Sequence, residues 1–284
     1  MTELKQLDFG KNDIAGTIPS EIGSLALLET LRLNQNKFTG SIPNSIWNLK
    51  HLKVLDLGGI SELEGTVPDG ISKMAKLEFL EISSCSLQGS ISSEVGTLSN
   101  LQGIFLGSNL DLNGTIPTEI GKLSALIDFD IANCGKIGGT IPTEFGLMKK
   151  LEHISLGYND ITGSIPTEIG NMAKLTSLTI MSNLLNGSIP TEFGNLRNLQ
   201  RFNAGFTLLS RSIPTEFGLL SKMERCEVTK NNISGTIPAE MGNLQKLSEI
   251  DLCNNEIVGP VPQEWCKAKD LFLRYDCDCC KSCY

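Results

Sequence analysis

The sequence predicts an α/β repeat solenoid, a stack of short coils, and three observations carry that prediction. Ten of the eleven prolines (Pro19, Pro43, Pro68, Pro117, Pro142, Pro166, Pro190, Pro214, Pro238 and Pro262) fall 24 or 25 residues apart, once the 49 between Pro68 and Pro117 is read as two periods. Each interval holds two strand-like pieces and a polar turn rather than one long amphipathic helix. Glycine is abundant, at 28 of 284 residues, while aromatics make up only 6%, as recurring tight turns require. Ser92 occupies the proline place of the fourth unit, so eleven units follow one another.

The elements of one coil can be justified in order from residues 151–174, LEHISLGYNDITGSIPTEIGNMAK. Leu151, Ile154, Leu156, Ile161, Ile165, Ile169 and Met172 recur wherever a short coil must turn inward, so the first strand flanks Ile154. Asn159 follows, at a phase shared by Asn12, Asn36, Asn109, Asn183, Asn231 and Asn255, where a side-chain amide can bond backbone groups of neighbouring coils. Cys85, Cys134 and Thr207 take the same phase, and the two cysteines read as buried ladder thiols rather than a disulfide pair. Gly163 permits the close turn of the second strand. Pro166 lacks an N–H and suits a sheet edge or a helix entry. Glu168 belongs to a row of nine (Glu21, Glu94, Glu119, Glu144, Glu168, Glu192, Glu216, Glu240 and Glu264) just after each Pro-x step, where a helix N-terminus favours negative charge. No unit can bury its apolar face alone. Stacked units make one apolar column whose ends need caps.

The pattern LxxLxLxxNxLxGxIPxxIGxLxx resembles the plant-specific class of leucine-rich repeats, over residues 1 to about 265. That resemblance implies a right-handed leucine-rich-repeat solenoid. Each coil would give a strand to a parallel concave sheet, a second short strand around Gly-x-Ile-Pro, and a convex helical turn. Eleven concave strands at about 4.8 Å spacing make a sheet roughly 50 Å long. Two regions are expected: residues 1–265 as the repeat domain and residues 266–284 as a Cys-rich C-terminal cap.

Composition narrows the function. With 24 Lys and Arg against 32 Asp and Glu the net charge is −8, which disfavours binding to a phosphate backbone. A chain that is 40% hydrophobic is neither disordered nor collagenous, and no stretch approaches the roughly 20 apolar residues of a membrane span. The only histidines are His51 and His153, and neither sits in a nucleophile or zinc motif. The chain therefore reads as non-enzymatic and without a cofactor. The acidic row supplies its oxygens one per coil, without the clustering that a calcium site requires.

Cysteines and sequons bear on the compartment. Cys226 sits in the apolar strand phase. Cys253, Cys266, Cys277, Cys279, Cys280 and Cys283 crowd the C-terminal end, and two readings stand: a thiolate metal site using the CxxC in CDCCKSC, or a disulfide cap sealing the last coil. The cap is preferred, with no metal, and similar Cys-rich tails close some algal leucine-rich-repeat proteins. Asn113, Asn186 and Asn232 open N-glycosylation sequons. Together these features place the protein outside the cell or at its surface. No leader precedes Leu4, and the cysteine-bearing N-cap of the plant family is missing, so a truncated sequence is expected.

A solenoid's natural product is a binding surface. Aromatic, soft and cationic residues gather in coils seven to ten, at His153, Tyr158, Met181, Arg201, Phe206, Arg225 and Lys230, the composition that binding hot spots favour, and Asn203 of the central concave column joins them as a ligand-binding candidate. Coil nine departs from the repeat twice, with Ala204 in place of a large core residue and Arg211 in place of the turn glycine. The resemblance to receptor-like ectodomains implies a protein, peptide or glycan ligand, and possibly a co-receptor, in cell-surface signalling or defence. An alternative uses the hydroxyl row after each turn glycine (Thr17, Ser41, Thr66, Ser90, Thr115, Thr140, Ser164, Ser188, Ser212 and Thr236) to order water and bind ice. Inhibition of a cell-wall hydrolase is a third reading.

Overall fold

The computed structural model describes residues 3–268 and 271–274. They fall into two compact units, Met1–Gly138 and Gly139–Tyr284. Each unit is a run of stacked coils with the expected parts.

In the first unit, six parallel strands form the main sheet: Gln6–Asp8, Thr30–Arg32, Val54–Asp56, Phe79–Glu81, Gly103–Phe105 and Asp128–Asp130. The second unit repeats the plan with His153–Ser155, Ser177–Thr179, Arg201–Asn203, Arg225–Glu227, Glu249–Asp251 and Phe272–Arg274. Six strands at about 4.8 Å span roughly 24 Å in each unit. The last strand lies past residue 265, within the segment expected to be a cap. Because side chains alternate along a strand, the middle residue of each faces inward: Leu31, Leu55, Leu80, Ile104, Leu178, Phe202 and Ile250 are all buried, while their neighbours on either side form two columns on the outer face.

Buried ladder residues tie each coil to the one before. Asn183 donates from Nδ2 to the carbonyls of Leu156 (2.9 Å), Ile180 (3.1 Å) and Met181 (3.2 Å), and its Oδ1 accepts from Ile161 N (2.9 Å). Asn36, Asn109, Asn231 and Asn255 make the same backward contacts. Cys85 and Cys134 substitute as expected, their thiols donating to Leu57 O at 3.3 Å and Leu106 O at 3.5 Å.

A second set of short parallel strands follows, and here the structure departs from a straight reading of the repeat. Thr17 pairs with Thr39 rather than Ser41, Ser41 with Glu64, Ser90 with Asn113, and Ser164 with Asn186. Register slips by two residues per coil. Thr17, Thr66, Ser90, Thr140, Ser164, Ser212 and Thr236 instead lie against the turn glycine of the next coil. At Gly163 (φ 77°), a Cβ would stand 2.9 Å from Thr140 Cγ2, so left-handed backbone and close approach both demand glycine.

The outer turns are helical but five residues long and of the tight 3-10 kind, as in Thr167–Asn171, entered from Pro166 in extended geometry (φ −70°, ψ 142°). Glu168 sits in the first turn, as the charge argument requires. Ser92, lacking proline's rigidity, caps instead: its Oγ accepts from Glu94 N at 3.1 Å and donates to Asp69 Oδ1 at 2.6 Å. The final turn, Gln263–Lys267, is α-helical and buries Trp265, whose Nε1 donates to Met241 O at 3.2 Å.

Candidate recognition surface

All eight predicted ligand-binding residues belong to the second unit. Strand register sorts the main sheet's outer face into a column His153, Ser177, Arg201, Arg225, Glu249 and a parallel column Ser155, Thr179, Asn203, Glu227, Asp251. Ser177 thus stands between His153 and Arg201. Arg201 and Arg225 are direct neighbours, both exposed.

A third column follows the strands, where Tyr158 (φ 58°), Ser182 (φ 52°), Phe206 (φ 57°) and Lys230 (φ 53°) adopt left-handed backbone. Ladder hydrogen bonds hold them there: Tyr158 N donates to Met181 O (2.9 Å), Ser182 N to Gly205 O (2.8 Å), Phe206 N to Thr229 O (2.8 Å) and Lys230 N to Cys253 O (2.8 Å). Tyr158 and Phe206 are left 53% and 46% exposed, against the burial usual for such rings. Lys230 Nζ lies 4.6 Å from the centroid of the Phe206 ring, a cation–π pair on the surface.

The candidates divide by availability. Arg225 Nε pairs with Glu249 Oε2 at 3.5 Å, whereas among the described residues no ion pair reaches Arg201. Asn203 is committed to the scaffold, donating to Glu227 Oε2 (2.7 Å) and accepting from Gly205 N (3.1 Å). Partial burial, with the carboxylates of Glu249 and Asp251 nearby, pushes the Glu227 carboxyl above its ordinary value. Met181 and His153 are half-buried. Two residues escaped the sequence reading: Leu184 and Leu208, 48% and 49% exposed at the start of their second-sheet strands. Their signal was available, because the residue after the ladder position is polar in the other coils of this unit, at Asp160, Asn232 and Glu256.

The two irregularities of coil nine have different standing. Ala204 is fully buried, two residues along the chain from Phe202, which clusters with Phe193 and Phe217 at centroid distances of 5.1 to 6.2 Å. Ala204 is thus a core residue. Arg211 holds left-handed backbone (φ 67°) without glycine's freedom and is exposed.

Asn113, Asn186 and Asn232 are exposed on second-sheet strands. Cys226 is in the core, and Cys253 is buried beside the last coil, its N–H donating to Asp251 Oδ1 at 3.0 Å. Cys266 lies on the terminal helix. Cys277, Cys279, Cys280 and Cys283 lie outside the described residues. Among the described residues, no helix is long and apolar enough to cross a membrane.

Comparison with known proteins places these coils. A leucine-rich repeat region model matches residues 1–109, and a leucine-rich repeat model matches residues 150–172 and 174–196. Among solved structures, the plant peptide hormone receptor RGFR1 in complex with RGF2 is 34% identical with a TM-score of 0.83, over 98% of this chain and 48% of that one. A TDR receptor is 32% identical with a TM-score of 0.92, over 97% and 47%. A plant ice-binding protein is 25% identical with a TM-score of 0.74, over 89% and 81%. The chain thus spans about half the length of the receptors it matches. No curated protein sequence matches it significantly.

Proposed function

The chain belongs to the plant-type leucine-rich-repeat proteins, and on that premise we propose that it recognises a peptide ligand through the outer sheet face and adjoining edge of its second unit. The observation that carries this reading is that the second unit of an acidic chain exposes Arg201, which no ion pair reaches among the described residues, together with Tyr158, Phe206, Leu184 and Leu208 on the same coil or the two before it. Aromatic and arginine anchors dominate binding energy at interfaces. Such a surface fits a short segment that places an acidic group at Arg201 and apolar side chains along the Tyr158–Phe206 edge. The receptor RGFR1 was solved with its peptide hormone, which supports the peptide over the protein and glycan alternatives.

Recognition of this kind belongs outside the cell or at its surface, in signalling or defence with or without a co-receptor. The exposed sequon asparagines Asn113, Asn186 and Asn232 fit glycosylation there, and Cys266, a disulfide-bonded residue, supports a C-terminal disulfide cap.

The ice-binding relative supports a second reading through the Thr17–Thr236 hydroxyl row. Register works against it, since the ladder sets Ser41 opposite Glu64 and Thr236 opposite Val258, which interrupts a regular hydroxyl lattice.

Panning a displayed random-peptide library on the intact chain, then titrating the enriched peptides against Arg201→Ala/Phe206→Ala, tests the proposal. Enriched peptides should be acidic and lose affinity for the variant while its circular dichroism stays unchanged. Equal affinity for both proteins removes this surface from consideration, and thermal hysteresis without peptide enrichment favours ice.

A further inference from the structure

The main sheet of the first unit has an outer face of opposite chemistry. Val54, Phe79 and Gly103 are register neighbours in one column, and Arg32, Asp56, Glu81, Phe105 and Asp130 in the other. Gly103 is not needed for its backbone, since its φ is not positive. What it supplies is room: a Cβ there would stand 2.6 Å from Phe105 Cε2 and 3.0 Å from Phe79 Cδ1, so both rings lean over the glycine.

Carboxylates border this aromatic floor. Glu81 lies directly across from Phe105 on one side and Asp130 on the other, with Asp56 beyond Glu81. Backbone donors orient all three: Gly58 N to Asp56 (3.2 Å), Ser83 N to Glu81 (2.9 Å) and Ala132 N to Asp130 (2.9 Å). Of the nearby cations Arg32 and Lys11, Arg32 is engaged with Asp8 at 3.7 Å, and among the described residues no ion pair reaches Asp56, Glu81 or Asp130.

We propose that this face is a second recognition site, taking an arginine or lysine side chain of a basic peptide over the Phe79–Gly103–Phe105 floor, with its charge against Glu81 and Asp56. Charge complementarity selects the occupant. A cation over an aromatic face is attracted by the ring's quadrupole, more strongly when desolvated, and a carboxylate beside it adds a charge-assisted hydrogen bond. Burial pushes the Asp56 and Glu81 carboxyls above their ordinary values, and neighbouring carboxylates, Asp8 for Asp56 and Asp56 with Asp130 for Glu81, push the same way. An arriving cation relieves that cost. The site does not depend on the second-unit reading, and either can fail alone.

The test is fluorescence anisotropy of a labelled hexa-arginine peptide titrated with the full chain at about 0.15 M salt, where distant surface charges are screened. Saturable binding is expected, weakened about 5-fold or more in Glu81→Gln and in Phe105→Leu. It should persist in Glu119→Gln, which removes an equal charge from an outer turn. Equal weakening by Glu81→Gln and Glu119→Gln reduces the binding to net charge and overturns the site, as does absence of saturation. Binding of cellohexaose that Phe105→Leu abolishes, without hexa-arginine binding, assigns the floor to sugars and equally overturns it. Should Phe105→Leu fail to fold, the two glutamate variants decide the matter.

Discussion

Consider Gly170→Ala. Gly170 is the fourth residue of the 3-10 turn Thr167–Asn171 and has no left-handed backbone, so alanine is allowed there conformationally. On local grounds the change should stabilise by about 0.4–1 kcal/mol, because alanine reduces the entropy of the unfolded chain. The neighbouring coil reverses the sign. An added Cβ would stand 2.5 Å from the carbonyl oxygen of Glu192, 2.6 Å from its Cβ and 3.0 Å from its carbonyl carbon. These are backbone-anchored atoms that no rotamer change moves, so the next coil must shift, at the roughly 1–3 kcal/mol typical of overpacking. The net expectation is a loss of about 1–2 kcal/mol. Gly70→Ala is the counterpart: its Cβ would meet only Trp47 Cβ, at 3.8 Å, so the entropic gain survives. Urea unfolding followed by circular dichroism reads both, and amide exchange in residues 166–200 shows whether the loss is local, as a nearest-neighbour array requires. Midpoints that move together, or a rise for Gly170→Ala, would refute the packing argument.

Asn183→Ala removes three donated hydrogen bonds and orphans Ile161 N, and should cost about 1–3 kcal/mol, against less than about 0.5 kcal/mol for exposed Asn186→Ala. Equal urea midpoints for the two variants would exclude a structural ladder. Burial pushes the thiols of Cys85 and Cys134 to about 11 and Cys226 to about 12, from an ordinary 9.0. Since the unfolded chain releases those protons first, the stability they contribute is complete below pH 9 and is lost as pH rises from 9 towards 11. Unfolding midpoints between pH 8 and 10.5 should therefore fall more steeply for the native chain than for Cys226→Ala, and iodoacetamide at pH 8 should leave all three thiols unmodified until urea is added.

The coil plan was legible because burial imposes a fixed phase on every unit: the inward positions of residues 151–174, the ladder asparagines and the thiols standing in for them all follow from one period. What the period left hidden was lateral. Periodicity says which way a side chain faces and not what stands beside it in the next coil, so the two-residue slip that sets Thr17 against Thr39 was invisible, as was the pairing of Arg225 with Glu249. Ala204 stands where other coils have a large core residue, and its full burial could not be read from its size. The space over Gly103 that Phe79 and Phe105 share belongs to three residues on two strands, and no period in the sequence marks it.

The left-handed residues that follow the main strands carry one more consequence. Outside glycine this conformation costs about 1–2 kcal/mol per residue, yet Tyr158, Ser182, Phe206 and Lys230 are held in it by a hydrogen bond to the next coil. Folding has already met the expense of fixing that backbone. A ligand arriving at Tyr158, Phe206 and Lys230 need order only side chains, about 0.5–1.5 kcal/mol each, and no loop. The phase can therefore exchange one side chain for another as a keyboard exchanges keys, the frame unchanged beneath, which gives a stacked-coil protein a cheap route to new partners.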